Sequence, residues 1–406
     1  MGARSLYITN LGLLDNLAKT QVLPYLEGLV RNGVSVHILS FEKRHNLEDK
    51  MHMEKVSKRL SASNIRWTHL LYHNRWGNLL DIVLGFAKAL EISKKEKIGI
   101  VHARASIPIL IAWPLAKLLK IKIIYDRRGT MAGDFVDDVN VKNIFSMRVF
   151  SNILDGLDAF FIRHSDAVIV LSGRALDILK GQIGPGAERP ALVSIPCCAD
   201  LAKFGDKSRA GGRHIKELEG KFIVSYLGSL GTCYLLREMA DFFKELKRMK
   251  PDSVFLIISH TDAGYIERTL NDAGLARGTD FVILEAEPDE VPALMSKSDC
   301  SIMFIKPVEC KIGSSPTKFG ESLAAGVPVV VNSGIGDTEK IISERRVGVV
   351  VGGLDSASYE KAAKELSGLM AGDGLDRRCI DAARDYFSLE LGVRRYVEVY
   401  EKVERS

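Results

Sequence analysis

Short apolar runs alternate with amphipathic stretches through the first half of the chain. SLYITN (5–10), VSVHILSF (34–41), IGIVHA (98–103), IKIIYD (121–126) and AVIVLS (167–172) have the length and β-branched content of buried strands. Between them, TQVLPYLEGLVRNG (20–33, closed by Gly33), LLDIVLGFAKALEISKKEK (79–97) and IPILIAWPLAKLLK (107–120) read as helices. After an irregular segment, RRGTMAGDFVDDVN (127–140), a further helical stretch runs through residue 164. Strands alternating with helices of this length predict βαβ units and a parallel sheet.

The alternation breaks between about residues 184 and 205, where GPGAERPALVSIPCCADLAKF predicts a short last strand followed by a linker. It then restarts. KFIVSYLGSLG (221–231), VFLIISH (254–260), FVILEA (281–286), CSIMFIK (300–306), GVPVVV (326–331) and VGVVVG (347–352) read as strands, with helical patterns between them. The expectation is an α/β chain of two doubly wound Rossmann-like domains, residues 1–190 and 205–387. Ligands of such sheets sit beyond the carboxyl ends of the strands, so a central cleft faced by both domains is the expected site.

Composition narrows the class. With 406 residues, 46% hydrophobic and 26% charged, the chain is an ordinary globular protein too long for one core. Its net charge of +5 is spread along the sequence, without the dense footprint of a nucleic-acid binder. The six cysteines (197, 198, 233, 300, 310 and 379) form no CxxC pair, which argues against a zinc site and a disulfide framework. The chain enters its first strand without a signal-peptide pattern and holds no apolar run of about 18 residues. A cytoplasmic protein is expected. Nucleophile elbows, P-loops and an ordered Ser-His-Asp set are missing from the sequence, so hydrolysis by a nucleophilic Ser or Cys has no positive support.

The most informative stretch is KIGSSPTKFGESLAAGVPVVV (311–331). Ser315 suits a helix N-cap and Pro316 the first helical position, which puts Lys318 in a first turn where the helix dipole disfavours a cation. An anion resting on the first-turn amides would offset that penalty, and the lysine would add a charged hydrogen bond. Glu321, three residues on, shares that face and suits vicinal hydroxyls such as those of a ribose. Gly228-Ser229-Leu230-Gly231 follows the first strand of the second domain and could bring backbone amides close to a phosphate. In the first domain, Asp126, Arg127 and Arg128 end one strand, and His102 and Arg104 end another. Adjacent arginines suit a phosphate or carboxylate, or a structural pairing with Asp126, Asp134 or Asp137. Asp15, Asn16 and Lys19 lie in the loop after the first strand, within reach of a second substrate.

Taken in order along the chain, TQVLPYLEGLVRNGVSVHILSFEK, SIPCCADLAKF, YLGSLGT and SPTKFGESLAAGVPVV resemble the GT-B glycosyltransferases of family 4. The resemblance covers essentially the whole chain. It implies that LELGVRRYVEVYEKV, within a last helix at 388–406, packs back on the first domain. It also implies retaining, metal-independent sugar transfer with no cofactor beyond the nucleotide-sugar. The donor would lie on the second domain and a glycan or lipid-linked acceptor on the first. Glu321 matches the ribose-binding glutamate, and Ser314, Ser315, Thr317 and Lys318 fall where donor phosphates are held, facing Gly228–Gly231. Gly313 stands where the motif's first glutamate would grip the donor sugar, and Arg128 where a histidine is usual. These departures suggest a more cationic sugar pocket, with Arg128 and Lys318 as the catalytic candidates. The implied role is surface polysaccharide or glycolipid assembly at the inner face of the cell membrane, with peripheral membrane contact. A nucleotide-sugar epimerase and a catalytically silent sugar-nucleotide-binding subunit remain alternatives.

Overall fold

In the computed structural model the described residues are 2–73, 78–136, 144–183, 190–204, 214–231, 233–308 and 311–406. The chain forms two compact units, one of Met1–Pro196 with Leu389–Ser406 and one of Cys197–Ser388. Asp137, Thr232 and Cys310 lie outside the described residues, as do most of GPGAERP and the side chain of Asp134. The other five cysteines form no disulfide.

The first unit is built on seven parallel strands: Arg4–Thr9 (β1), Ser35–Glu42 (β2), Arg66–Leu71 (β3), Ile100–Arg104 (β4), Lys122–Asp126 (β5), Ala167–Val170 (β6) and Ala191–Ser194 (β7). Their spatial order is β3-β2-β1-β4-β5-β6-β7. The second sheet has Phe222–Leu227 (β8), Ser253–Ile258 (β9), Phe281–Leu284 (β10), Cys300–Met303 (β11), Val329–Asn332 (β12) and Gly348–Val351 (β13) in the order β10-β9-β8-β11-β12-β13. Counted from its own first strand, the second sheet reads 3-2-1-4-5-6 and the first adds a seventh strand at the end of the same order, the doubly wound arrangement with a topological switch between the first and fourth strands. Strands buried on both faces are built largely of apolar residues, and β6, β9 and β11 are buried throughout, with only Ser253 and Ser301 polar among them.

Three local expectations change. The single helix expected over 20–33 is broken at Val22 into Asn16–Gln21 and Leu23–Arg31, because Val22 leaves helical geometry (φ −127, ψ −64). Strand β3 did not register in the apolar pattern, since RWTHLL is a partly exposed edge strand. The linker expected near 197–204 instead packs into the second unit: Ala199 and Phe204 enter its core, and the Ala199 amide donates to Phe387 O at 2.8 Å.

The last helix, Leu389–Arg405, packs in the first unit against the helix Leu23–Arg31 and against β5 and β7. Gly28 permits this approach, because a Cβ there would run into the Val393 side chain. Gly28→Val should therefore lower the stability of the first unit by about 1–3 kcal/mol through overpacking. The measurement is the first denaturant midpoint followed by far-UV circular dichroism, and an unchanged midpoint would show that the two helices do not depend on this approach.

Candidate functional site

In the second unit the switch lies between β8 and β11. Strand β8 ends at Leu227, and the following Gly228 and Gly231 take φ of +115° and +96°, a region that disfavours residues with a side chain. The Gly228 amide donates to Ile258 O at 2.9 Å and the Leu230 amide to Thr261 Oγ1 at 2.8 Å. Those two amides are thus spent within the unit, while those of Ser229 and Gly231 have no acceptor among the described residues. What Gly228 supplies is room, since a Cβ there would collide with the Lys318 ammonium.

Lys318 lies across that glycine. Its Nζ donates to Tyr226 Oη at 3.1 Å and sits 4.7 and 3.6 Å from the ring centroids of Tyr226 and Tyr234. Tyr226 Oη in turn donates to Ser229 O at 2.7 Å, tying the glycine loop to the lysine. Two ring faces attract the cation, but they replace only part of its lost hydration. Burial therefore pushes the Lys318 pKa down to about 7, with the charge of Glu321 opposing the shift. Burial raises Glu321 in turn, Lys318 opposing. The Glu321 carboxylate makes no hydrogen bond with any described residue, which leaves its oxygens available to hydroxyl donors.

The helix carrying both residues is Thr317–Ala324. Its N-cap is Pro316, with no side-chain cap, and the amides of Thr317 and Lys318 have no acceptor among the described residues. Ser315 does not cap the helix as expected, because its Oγ accepts from the Cys197 amide at 3.1 Å. Ser314 Oγ donates to Lys311 O at 2.8 Å, closing the preceding turn. The helix has a rigid seat: Gly320 lies so close to Phe387 that an added Cβ would be 3.0 Å from the Phe387 Cβ. Asn332, buried at the end of β12, brackets Ile305 by accepting from its amide at 2.7 Å and donating to its carbonyl at 2.8 Å. That clamp fixes the segment leaving β11, and only a buried asparagine at a strand end hints at it in the sequence.

In the first unit the switch lies between β1 and β4. The loop after β1 is held by Glu42, wholly buried, whose carboxylate accepts from the amides of Leu13 (2.7 Å) and Leu14 (3.3 Å). Beyond it, Asp15 accepts from Lys43 Nζ at 3.2 Å and Asn46 Nδ2 at 3.0 Å, and Lys19 Nζ donates to Asn16 Oδ1 at 2.9 Å. These three candidates lie not in a loop, as expected, but on the short helix Asn16–Gln21, with Asp15 at its N-cap.

The other first-unit candidates gather in a buried cluster. His102 has no exposed surface, and its Nδ1 shares a hydrogen bond of 2.9 Å with Tyr400 Oη. Burial pushes its pKa down against the pull of Asp126, so the ring is neutral. Asp126, also wholly buried, accepts from Arg128 Nη2 at 2.8 Å and Tyr396 Oη at 2.9 Å. Burial alone would raise its carboxyl, but Arg128, His102 and Arg104 hold it well below the usual range. Asp126 and Arg128 are thus joined through Tyr396, and His102 through Tyr400, to the last helix. Arg127 turns away to Asp158 at 2.8 Å. Tyr396 and Tyr400 come from the last helix, some 270 residues beyond Asp126 in the chain, which is why the local sequence gave no sign of this cluster. Among the described residues no group of three or more His, Cys, Asp or Glu is placed to hold a metal.

Residues 18–203 match the family model described as Glycosyltransferase Family 4. Curated protein sequences give no match. Among solved structures, sucrose-phosphate synthase from Thermosynechococcus elongatus is similar with a TM-score of 0.73 at 15% identity, over 99% of each chain. A glycosyltransferase from Rickettsia africae is similar with a TM-score of 0.68 at 15% identity, over 100% of this chain and 99% of that one. Anabaena HepE, solved with UDP and glucose, gives 0.69 at 13% identity, over 98% of this chain and 99% of that one. The fold is GT-B, as the resemblance implied, and the family match falls on the first unit and the start of the second.

Lys318 makes a pH prediction. Its folded pKa lies near 7, below the value of about 10.4 of an unperturbed lysine. Between those values the unfolded chain holds a proton that the folded chain lacks, so this group makes stability rise with pH. Lys318→Met should flatten the rise in melting temperature between pH 7 and pH 9.5. Parallel profiles for the two proteins would remove Lys318 as the titrating group.

Proposed function

We propose that the chain is a retaining glycosyltransferase that moves a sugar from a nucleotide-sugar to a glycan or lipid-linked acceptor. The second unit holds the donor and the first unit the acceptor. The observation that carries this reading is Lys318 at the β8–β11 switch, with uncapped helix amides beside it and, one turn on, a Glu321 carboxylate with no hydrogen bond among the described residues. In this reading the donor phosphates rest on the Thr317 and Lys318 amides and on the lysine ammonium, with Ser314, Ser315, Gly228, Ser229 and Gly231 shaping their surroundings. Glu321 accepts from the ribose hydroxyls.

Transfer breaks the bond from the sugar to the phosphate oxygen and forms one to the acceptor oxygen, whose proton leaves with the phosphate. Negative charge builds on the departing phosphate, so a fixed cation and helix amides stabilise the transition state more than the ground state. The negative charge of an arriving phosphate outweighs the desolvation that neutralises Lys318, so the lysine regains its proton as the donor binds. The chemistry asks for no metal. Arg128 acts within the first unit by fixing Asp126 and the sugar-facing end of β5.

Support for a UDP-type donor comes from HepE, whose structure contains UDP and glucose. The decisive experiment is calorimetric titration with UDP-, GDP-, dTDP- and CMP-sugars, followed by product analysis with acceptor extracts. One of these donors should bind, and Lys318→Ala should weaken it at least tenfold with folding intact. Unchanged affinity in that variant would overturn the phosphate assignment. Donor turnover without any acceptor would favour the epimerase, and binding without turnover the silent subunit.

A cytoplasmic enzyme of surface polysaccharide or glycolipid assembly would meet its acceptor at the inner membrane face. No described helix is long and apolar enough to cross a membrane. Peripheral contact is supported by Leu79, Leu80, Val83 and Leu84, all exposed, in the first two turns of the helix Asn78–Glu96, whose last turn carries the basic residues Lys94 and Lys95. The chain should sediment with vesicles containing anionic lipid. Leu80→Glu combined with Val83→Glu should abolish this, and equal sedimentation of the variant would exclude that helix as the contact.

A further inference from the structure

At the carboxyl end of the first sheet, Thr9, Arg104 and Asp126 stand in register across β1, β4 and β5. Residues two apart share a face of a strand, so Arg104 lies on the same side as His102, among Tyr7, Asp126 and Arg128. Its effect on Tyr7, His102 and Asp126 is electrostatic. Arg104 is only 7% exposed, yet its guanidinium makes no hydrogen bond or ion pair with any described residue, and Nε is buried with no partner.

Arg104 and Arg128 are both cationic, and among the described residues Asp126 is the one carboxylate that acts on Arg104, through space and without a bond to it. Burial keeps His102 unprotonated and the phenols of Tyr7, Tyr396 and Tyr400 un-ionised. Asp126 already accepts from Arg128 and Tyr396, both through Oδ2. The Arg104 guanidinium is thus left largely buried without a bonded counter-charge, an arrangement that a ligand oxyanion would relieve. The backbone next to it is also strained. Ala105 takes φ 76 and ψ −177, a conformation essentially confined to glycine, and is held there by its amide donating to Asp126 O at 2.9 Å. Strain and an unpaired buried cation coincide at the end of β4, beside the switch where open parallel sheets bind ligands.

We infer that the end of β4 is a binding site for an oxyanion, a carboxylate or phosphate carried by the substrate of the first unit, with Arg104 as its cationic ligand. A planar guanidinium suits either group through paired N–H donors. That the carrier is the sugar acceptor rests on the proposed transferase function; the oxyanion site itself does not.

The test uses the full chain carrying Lys318→Ala, which removes the second unit's candidate anion ligand. Inorganic phosphate, D-glucuronate and uncharged D-glucose are titrated at ionic strength matched with chloride, following melting temperature and heat. Phosphate or glucuronate should bind and glucose should not, and whichever oxyanion binds tighter identifies the group. Adding Arg104→Gln should weaken that binding at least tenfold. The melting temperature of the ligand-free chain should stay level or rise, because a largely buried charge without a bonded counter-charge has been removed while Asp126 keeps Arg128. Equal oxyanion binding with and without Arg104, no oxyanion binding in the Lys318→Ala chain, or a clear fall in ligand-free melting temperature would each overturn the inference. UDP binding to the single variant Arg104→Gln should match that of the unaltered chain. Loss of UDP binding on Lys318→Ala alone reports separately on the donor assignment.

Discussion

Parallel pairing is the constraint on which the rest of this molecule depends. Every strand in both sheets runs the same way, so each connection must cross over a face and all carboxyl ends of a sheet emerge at one edge. Where the order reverses, between β1 and β4 and again between β8 and β11, adjacent strands send their chains to opposite faces. The loops there cannot pack on each other as they would elsewhere along the edge. Both candidate sites occupy these points, and the residues that hold them rigid are buried ones a turn or a strand away. Glu42 gathers the amides after β1, Asn332 brackets the segment after β11, and Gly320 seats the Lys318 helix on Phe387.

Much of this architecture was legible because parallel strands buried on two faces leave continuous apolar runs. The six strands of the second sheet were each readable as such. Strand β3 was not, since an edge position tolerates Arg66, Thr68 and His69 and so breaks the run. The site was legible only where its chemistry is local. Lys318 and Glu321 share one helix face, and a lysine in a first turn is an anomaly visible within eight residues. Ser315 misled because N-cap statistics describe the average serine, whereas this hydroxyl is claimed by the Cys197 amide, distant in sequence. The bond from Tyr400 to His102 and Ser5, and that from Tyr396 to Asp126, join segments that no periodicity connects.

The two cations at the switch points meet the same difficulty by different means. Each is removed from water without a carboxylate bonded to it. Lysine has an escape, because its ammonium can lose a proton near neutral pH, and the faces of Tyr226 and Tyr234 attract the charge when it is present. An empty second-unit site can thus relax by becoming neutral, and on the proposed reading an arriving donor phosphate favours the charged form again. Arginine has no such route, since a guanidinium keeps its proton at any physiological pH. The cost of Arg104 therefore persists in the ligand-free first unit, offset only through space by Asp126, which Arg128 already engages. A fold that keeps such a residue in place, next to a strained alanine, is less stable when empty than it need be. On the inferred reading an oxyanion returns that deficit, and the cost of leaving Arg104 without a bonded counter-charge is what selects a charged substrate over a neutral one.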